Sequence, residues 1–225
     1  MGTRRSPDTS NPPDSPTPWG TGRPTYAQAL ARPKRILDAT EAELVGHGHH
    51  QLTVRGIADR AGCSTATLYR HWQPGNPRSA GAGGTTVLEV VLTAVAERHV
   101  ARTRRRLLAA ARQATAPPPP IEVRPADWSP TMELLVAIVA ELVRPTAVHL
   151  TRAAADVPSV AARLGDQRVH RTAALETVLD PERARIADAA LLGLVHPVVA
   201  LHHEPPAPGE RRRLVAPLAR HLDPA

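Results

Sequence analysis

The residues Thr53-Val54-Arg55-Gly56-Ile57-Ala58-Asp59-Arg60-Ala61-Gly62-Cys63-Ser64-Thr65-Ala66-Thr67-Leu68-Tyr69-Arg70-His71-Trp72 read as two short helices joined by a tight turn. Thr53 can cap the first helix, and Val54, Ile57, Ala58 and Ala61 recur at helical spacing on a face that must be buried. Gly62 stands where the chain has to reverse, a position that favours a residue free to adopt positive φ. Ser64 can cap the second helix, in which Leu68 and Trp72 lie four apart and point inward. Ala58 is small where two helices joined by so short a turn must cross closely.

Thr65, Thr67, Tyr69, Arg70 and His71 remain for the outside of the second helix. An ordinary helical hairpin is the commoner structure. Here two caps, a small crossing residue, a turn glycine and an aromatic-plus-basic outer face all agree on a helix-turn-helix that reads DNA.

At these residues a family resemblance also appears. The segment Ile36 to Trp72 resembles the DNA-binding domain of the TetR family of transcriptional regulators and aligns with its usual pattern without a gap. Ile36-Leu37-Asp38-Ala39 opens helix 1, and His47-Gly48 stands at its end. Thr53-Val54-Arg55 begins helix 2, and Ala61-Gly62 with Ser64 and Thr67-Leu68-Tyr69 matches the recognition-helix signature. A weaker likeness lies at Asp180-Pro181-Glu182 and Ala187 to Leu194, which is similar to the late helix that many members use to dimerise.

Composition bounds the rest. A chain of 225 residues has room for two small domains or one larger one. Its net charge of +7 and pI near 11 suit a polyanionic partner. The basic excess is mildly concentrated toward the N-terminal side, where residues 1–83 hold 10 Lys/Arg against 6 Asp/Glu. The single cysteine, Cys63, excludes an intrachain disulfide and a zinc site built on several thiolates, and reads as a small packed side chain rather than a redox sensor. The first residues have no apolar stretch for a signal peptide, and the later apolar runs are broken by Glu89, Glu97, Glu141 and Asp188. A soluble, cytoplasmic protein with no membrane partner is expected.

Along the chain, prolines at 7, 12, 13, 16, 18 and 24 predict a disordered tail over residues 1–28. The helix-turn-helix domain occupies 29–84, with helix 1 from about Pro33 to Gly46 or His47. Its last part, Gln73 to Gly84, is a Gly/Pro-rich loop that cannot begin a helix promptly. Residues 85–225 read as a larger helical regulatory and dimerisation domain. A helix capped by Thr85 or Thr86 runs to Ala114, and a strongly apolar one starts at Ser129-Pro130. Others run from about Thr146 to Ala155, Pro158 to Leu179, Pro181 to His202 and Gly209 to Leu222, and Pro197 should kink its helix. Arg102, Arg104, Arg105 and Arg106 read as a solvated face. No strand-like alternation of any length occurs, so the fold class is all-α.

No catalytic constellation stands out, so the chain does not read as an enzyme, and no cofactor is expected. His47, His49 and His50 cluster in a loop without a fourth ligand or carboxylate, so surface histidines are expected and no metal site. His149, His170, His196, His202 and His203 offer no diagnostic spacing.

What the resemblance implies is a homodimeric, ligand-responsive repressor that binds a palindromic operator on double-stranded DNA and responds to a small-molecule effector of unassigned identity. It places Arg55 and Thr65 near base edges with Thr67 beside them. It gives Tyr69 and His71 to phosphates, along with the backbone at the caps Thr53 and Ser64. It also implies that the helices from 158 to 179 and from 181 to 202 pair across the dimer. The competing reading is a helical dimer whose reading head has lost specific DNA recognition and which acts through ligand or protein contacts, with the loop Gln73 to Gly84 as its support.

Overall fold

A computed structural model describes residues 26–72, 86–118, 120, 128–201 and 205–223. Among these residues there are nine α-helices, one short 3-10 turn and no strand. The helices are α1 (Tyr26–His47), α2 (Val54–Ala61), α3 (Thr65–Trp72), α4 (Val87–Ala114), α5 (Pro130–Leu142), α6 (Pro145–Ala153), α7 (Pro158–Leu175), α8 (Pro181–Leu201) and α9 (Pro208–Leu222). The 3-10 turn, His49–Gln51, joins α1 to α2. The all-α class is the one the periodicity predicts.

Helix starts follow the local chemistry. The Thr86 hydroxyl accepts from the Glu89 amide while the Glu89 carboxylate accepts from the Thr86 amide, a reciprocal cap. Ser129 Oγ accepts from the Met132 amide at 3.0 Å, and Pro130 occupies the first turn, where its missing N–H has no partner to lose. Two boundaries differ from expectation. α1 begins at Tyr26 rather than Pro33 and carries that proline inside it. α7 ends at Leu175, and residues 176–179 turn out of it. Of the tail expected over residues 1–28, the last three residues are helical and the rest lie outside the described residues, as does the loop Gln73 to Gly84.

Two apolar cores share α4. The first joins Ile36, Leu44, Ile57, Leu68 and Trp72 of α1–α3 to Val87, Val91 and Val95 from the first half of α4, and to Val160 of α7. The second gathers Leu107 from the later half of α4 with Leu135 and Ile138 of α5, Leu175 of α7, Leu191 of α8 and Val215 of α9. In packing, the boundary between the helix-turn-helix core and the C-terminal core therefore falls within α4, which also lies along α7 while α5 lies along α9. No single helix among the described residues is long and apolar enough to cross a membrane; only α5 and α6 together would, and that pair is bent by 61°.

The second core carries charge inside it. Arg171 of α7 donates from Nε to Asp188 Oδ1 of α8 at 2.6 Å, with side chains 7% and 1% exposed. The buried Glu141 accepts from Thr103 at 3.3 Å, Arg106 at 3.1 Å and Arg144 at 2.8 Å. His99 is buried in the same bundle, and burial pushes its imidazolium pKa down.

Candidate nucleic-acid interface

The reading head is held by its caps and its turn. Thr53 Oγ1 accepts from the Gly56 amide at 3.0 Å, fixing the start of α2. At the other end Gly62 takes φ 63°, ψ 44°, and two bonds close the helix: Gly62 N–H to Asp59 C=O at 3.1 Å and Cys63 N–H to Ala58 C=O at 2.9 Å. This is a Schellman closure, and it needs a residue without a Cβ in the left-handed region. Ser64 Oγ then accepts from the Thr67 amide at 3.2 Å and lies 2.9 Å from the Thr67 hydroxyl, so α3 begins capped.

Gly56 is a constraint that the sequence alone does not announce. A Cβ there would lie 3.1 Å from Thr53 Oγ1 and 3.3 Å from Glu43 Oε2. The glycine thus makes room for the cap and for Glu43, which accepts from Arg60 of α2 and lies 3.2 Å from His47 Nδ1. The hydrogen bond from Arg60 holds the Glu43 carboxyl below the usual carboxylate range.

On this frame α3 buries Leu68 and Trp72 and turns its other side outward. Thr65 and Arg70 are exposed, and Tyr69 is 47% exposed. The Arg55 side chain, at the start of α2, is 88% exposed and reaches Asp59 at 3.7 Å. Thr67 and His71 are half-buried. Five of the seven residues singled out from the sequence therefore fall into two groups, with Thr67 and the half-buried His71 in neither. Arg55, Thr65 and Tyr69 offer side chains to solvent, whereas Thr53 and Ser64 spend their side-chain oxygens on their own helices. Thr67 lies between the groups, its hydroxyl tied to Ser64. The caps take the Gly56 and Thr67 amides, which leaves the earlier first-turn amides of Val54, Arg55, Thr65 and Ala66 without a carbonyl in their own helices, and such amides suit an anionic partner.

Cys63 is half-buried against the first core, and burial raises its thiol pKa above the ordinary value despite the nearby Arg32 and Arg35. A protonated, packed thiol fits the reading of Cys63 as a small core-edge residue.

Sequence reasoning missed the joint between the head and the bundle. Arg98 of α4 donates to Asp38 at 2.6 Å and to Glu41 of α1, and Arg102 donates to Glu41 at 3.0 Å. The Thr146 hydroxyl of α6 adds a bond to Glu41 at 2.9 Å. Burial opposes ionisation of Glu41, but the Thr146 bond and the Arg98 and Arg102 charges outweigh it and hold the carboxyl below its ordinary range. Asp38 shifts the same way, burial being overcome by hydrogen bonds from Lys34 and Arg98. One visible signal existed: acids three apart on α1 and arginines four apart on α4 each form one face of a helix.

Residues 36–73 match the sequence model of the family described as bacterial regulatory proteins, tetR family. No curated protein matches the chain. Among solved structures, the chain resembles one from Mesorhizobium loti MAFF303099 assigned to the TetR-family transcriptional regulators, with a TM-score of 0.63 and 13% identity over 87% of this chain and 96% of that one. The multidrug binding protein EbrR, complexed with imidazole, superposes with a TM-score of 0.60 and 20% identity over 86% and 96% of the two chains. SCO7518 from Streptomyces coelicolor A3(2), assigned as a transcriptional regulator, gives 0.59 and 22% over 84% and 98%. At these identities the likeness establishes the fold.

Proposed function

We propose that this chain, a regulator of the tetR family by its reading head and its fold, is a ligand-responsive repressor that binds a palindromic operator as a homodimer. The observation that carries the reading is α3, capped, seated on Leu68 and Trp72, and exposing Thr65, Tyr69 and Arg70 on its outer side. A helix so presented suits a major groove, and a two-fold dimer would place two such helices on successive turns of one side of the duplex.

In this reading Arg55 and Thr65 meet base edges, with Thr67 beside them, and Tyr69 and His71 meet phosphates together with the first-turn amides behind Thr53 and Ser64. Arg55 can grip guanine bidentately, at about 1–3 kcal/mol of discrimination. Tyr69 positions the helix without reading sequence. The protein works on cytoplasmic DNA and is not an enzyme.

Two features support the dimer. On α7 the exposed residues Ala162, Gly165, Val169 and Ala173 form one stripe, with Val169 67% exposed. On α8 Ile186, Ala189, Gly193 and Leu194 form another, with Ile186 52% exposed. A Cβ added at Gly165 or Gly193 would meet nothing within 4 Å, so both stripes leave room for another helix to approach closely. Exposed apolar faces of this kind are uncommon on monomers. A small-molecule effector is supported by EbrR, named as a multidrug binding protein.

The test is binding to the DNA upstream of its own gene against a scrambled duplex of equal length, with rising salt. Specific recognition holds the upstream DNA at moderate salt after the scrambled duplex has dissociated. Arg55→Ala then relaxes base preference at one position per half-site, whereas Tyr69→Phe weakens every sequence evenly. The reverse pattern in a binding-site selection defeats the residue roles. A monomer at micromolar concentration in sedimentation defeats the pairing of α7 and α8.

A further inference from the structure

The turn that carries His49 and His50 holds no carboxylate of its own, but the fold supplies one. Asp156, in the connection between α6 and α7, places Oδ2 2.7 Å from His49 Nε2 and 3.6 Å from His50 Nε2. The two imidazole rings lie side by side, centroids 3.8 Å apart and inclined by 38°, so both turn Nε2 toward the same carboxylate. One donor atom from each of the three residues lies within 4.8 Å of the others.

These atoms open into a cleft of about 700 Å³ that His149 of α6 also lines. His47 lines it too, but its Nδ1 faces Glu43 at 3.2 Å. Arg152 is the cation at the rim, and its exposed head group can turn to water.

We propose that His49, His50 and Asp156 form a site for a divalent transition metal ion of the zinc class, tying the reading head to the regulatory bundle. Two imidazole nitrogens and one carboxylate oxygen are the donor set that such ions prefer, and magnesium or calcium would favour oxygens alone. Three protein ligands beside an open cleft leave a further position for water or for His149.

Two of the ligands belong to the turn that leads into α2, and the third to the connection leading into α7. The bound ion would therefore close a link across 107 residues of chain, from the turn after α1 to the connection between α6 and α7. The ligand set stands on geometry alone. Only its regulatory consequence, that the ion fixes the head relative to the bundle, rests on the DNA-binding reading.

The test uses the full chain, stripped of metal with a chelator and titrated with zinc in a calorimeter, and separately with cobalt followed by visible absorption. Zinc should bind at one ion per chain and raise the melting temperature. His50→Ala and Asp156→Ala should each weaken that binding at least about tenfold, whereas His47→Ala should leave it unchanged. The His50 and Asp156 side chains are 78% and 54% exposed, so both variants should fold, as their melting without zinc will show.

Absence of zinc binding by the unsubstituted chain overturns the proposal. So does binding that survives both substitutions, or binding that His47→Ala abolishes equally. Because no DNA is present, these outcomes are independent of whether the chain reads an operator.

Discussion

The two cores handle charge in opposite ways. On the outer face of α2 an ion pair stands in water: Arg55 and Asp59 have side chains 88% and 71% exposed. In the C-terminal bundle Arg171 and Asp188 form a pair almost wholly out of water, at 7% and 1%. The exposed pair leaves its charges available to a partner and contributes little to the fold. The buried pair contributes specificity of arrangement at a high desolvation cost, and the cost becomes visible only when one partner is removed.

The largest predicted effect follows from that contrast. Asp188→Ala leaves the Arg171 guanidinium buried without its carboxylate, with Arg168 a further cation 3.8 Å from the same position. A loss of about 3–5 kcal/mol is expected. Urea unfolding at fixed protein concentration measures it, and the double variant Arg171→Met/Asp188→Leu should recover most of the loss. A single variant that unfolds like the unsubstituted chain would break the comparison, since the pair would then carry no buried cost.

Next in size is the reading head's cap. Thr53→Ala removes the acceptor for the Gly56 amide and should cost about 1 kcal/mol. The same unfolding experiment reads it. A loss as large as that of Asp188→Ala would mean that the head, too, depends on a buried polar knot.

A pH series sharpens the contrast by direction. In the folded chain burial, joined by the charges of Arg106 and Arg144, disfavours protonated His99 and outweighs the pull of Glu141 and Glu41. The unfolded chain takes up that proton near pH 6.5, its ordinary value. Above about that pH both states hold His99 neutral and its contribution to stability is fully present. As pH falls below it, the unfolded state binds a proton that the folded state resists, so the contribution is lost. His99→Gln should flatten this part of the curve between about pH 7 and 5, and a slope unchanged by the substitution would exclude His99 as its source.

How much was legible follows the same division. In the head, Thr53, Gly62 and Ser64 act through neighbours three to five residues away, and Leu68 and Trp72 share one helix face four apart, so spacing alone declared the turn and its two helices. Thr86, Ser129 and Pro158 announced helix starts for the same reason. The bundle's decisive contacts join residues far apart in the chain. Arg102 and Arg106 read as a solvated face, yet one reaches Glu41 and the other Glu141. Asp156 stands 107 residues from His49, so no local pattern could place its carboxylate beside His49 and His50. Pro33 misled in another way: a proline suits a helix's first turn, but here the helix already runs from Tyr26 and accommodates it.

The smallest stability effect is also the one that bears most directly on function. Asp59→Asn deletes the anion 3.7 Å from Arg55 on a face open to water, and stability should change by less than about 0.5 kcal/mol. The freed Arg55 has one competitor fewer for a phosphate or a guanine edge, so binding to duplex DNA should tighten at low salt. The gain should shrink as salt screens the lost repulsion. A variant that is unchanged in stability but binds more tightly keeps the head's charges on the surface as instruments of recognition. A variant that loses stability comparable to Asp188→Ala would make Asp59 part of the head's framework and erase the difference between the two cores.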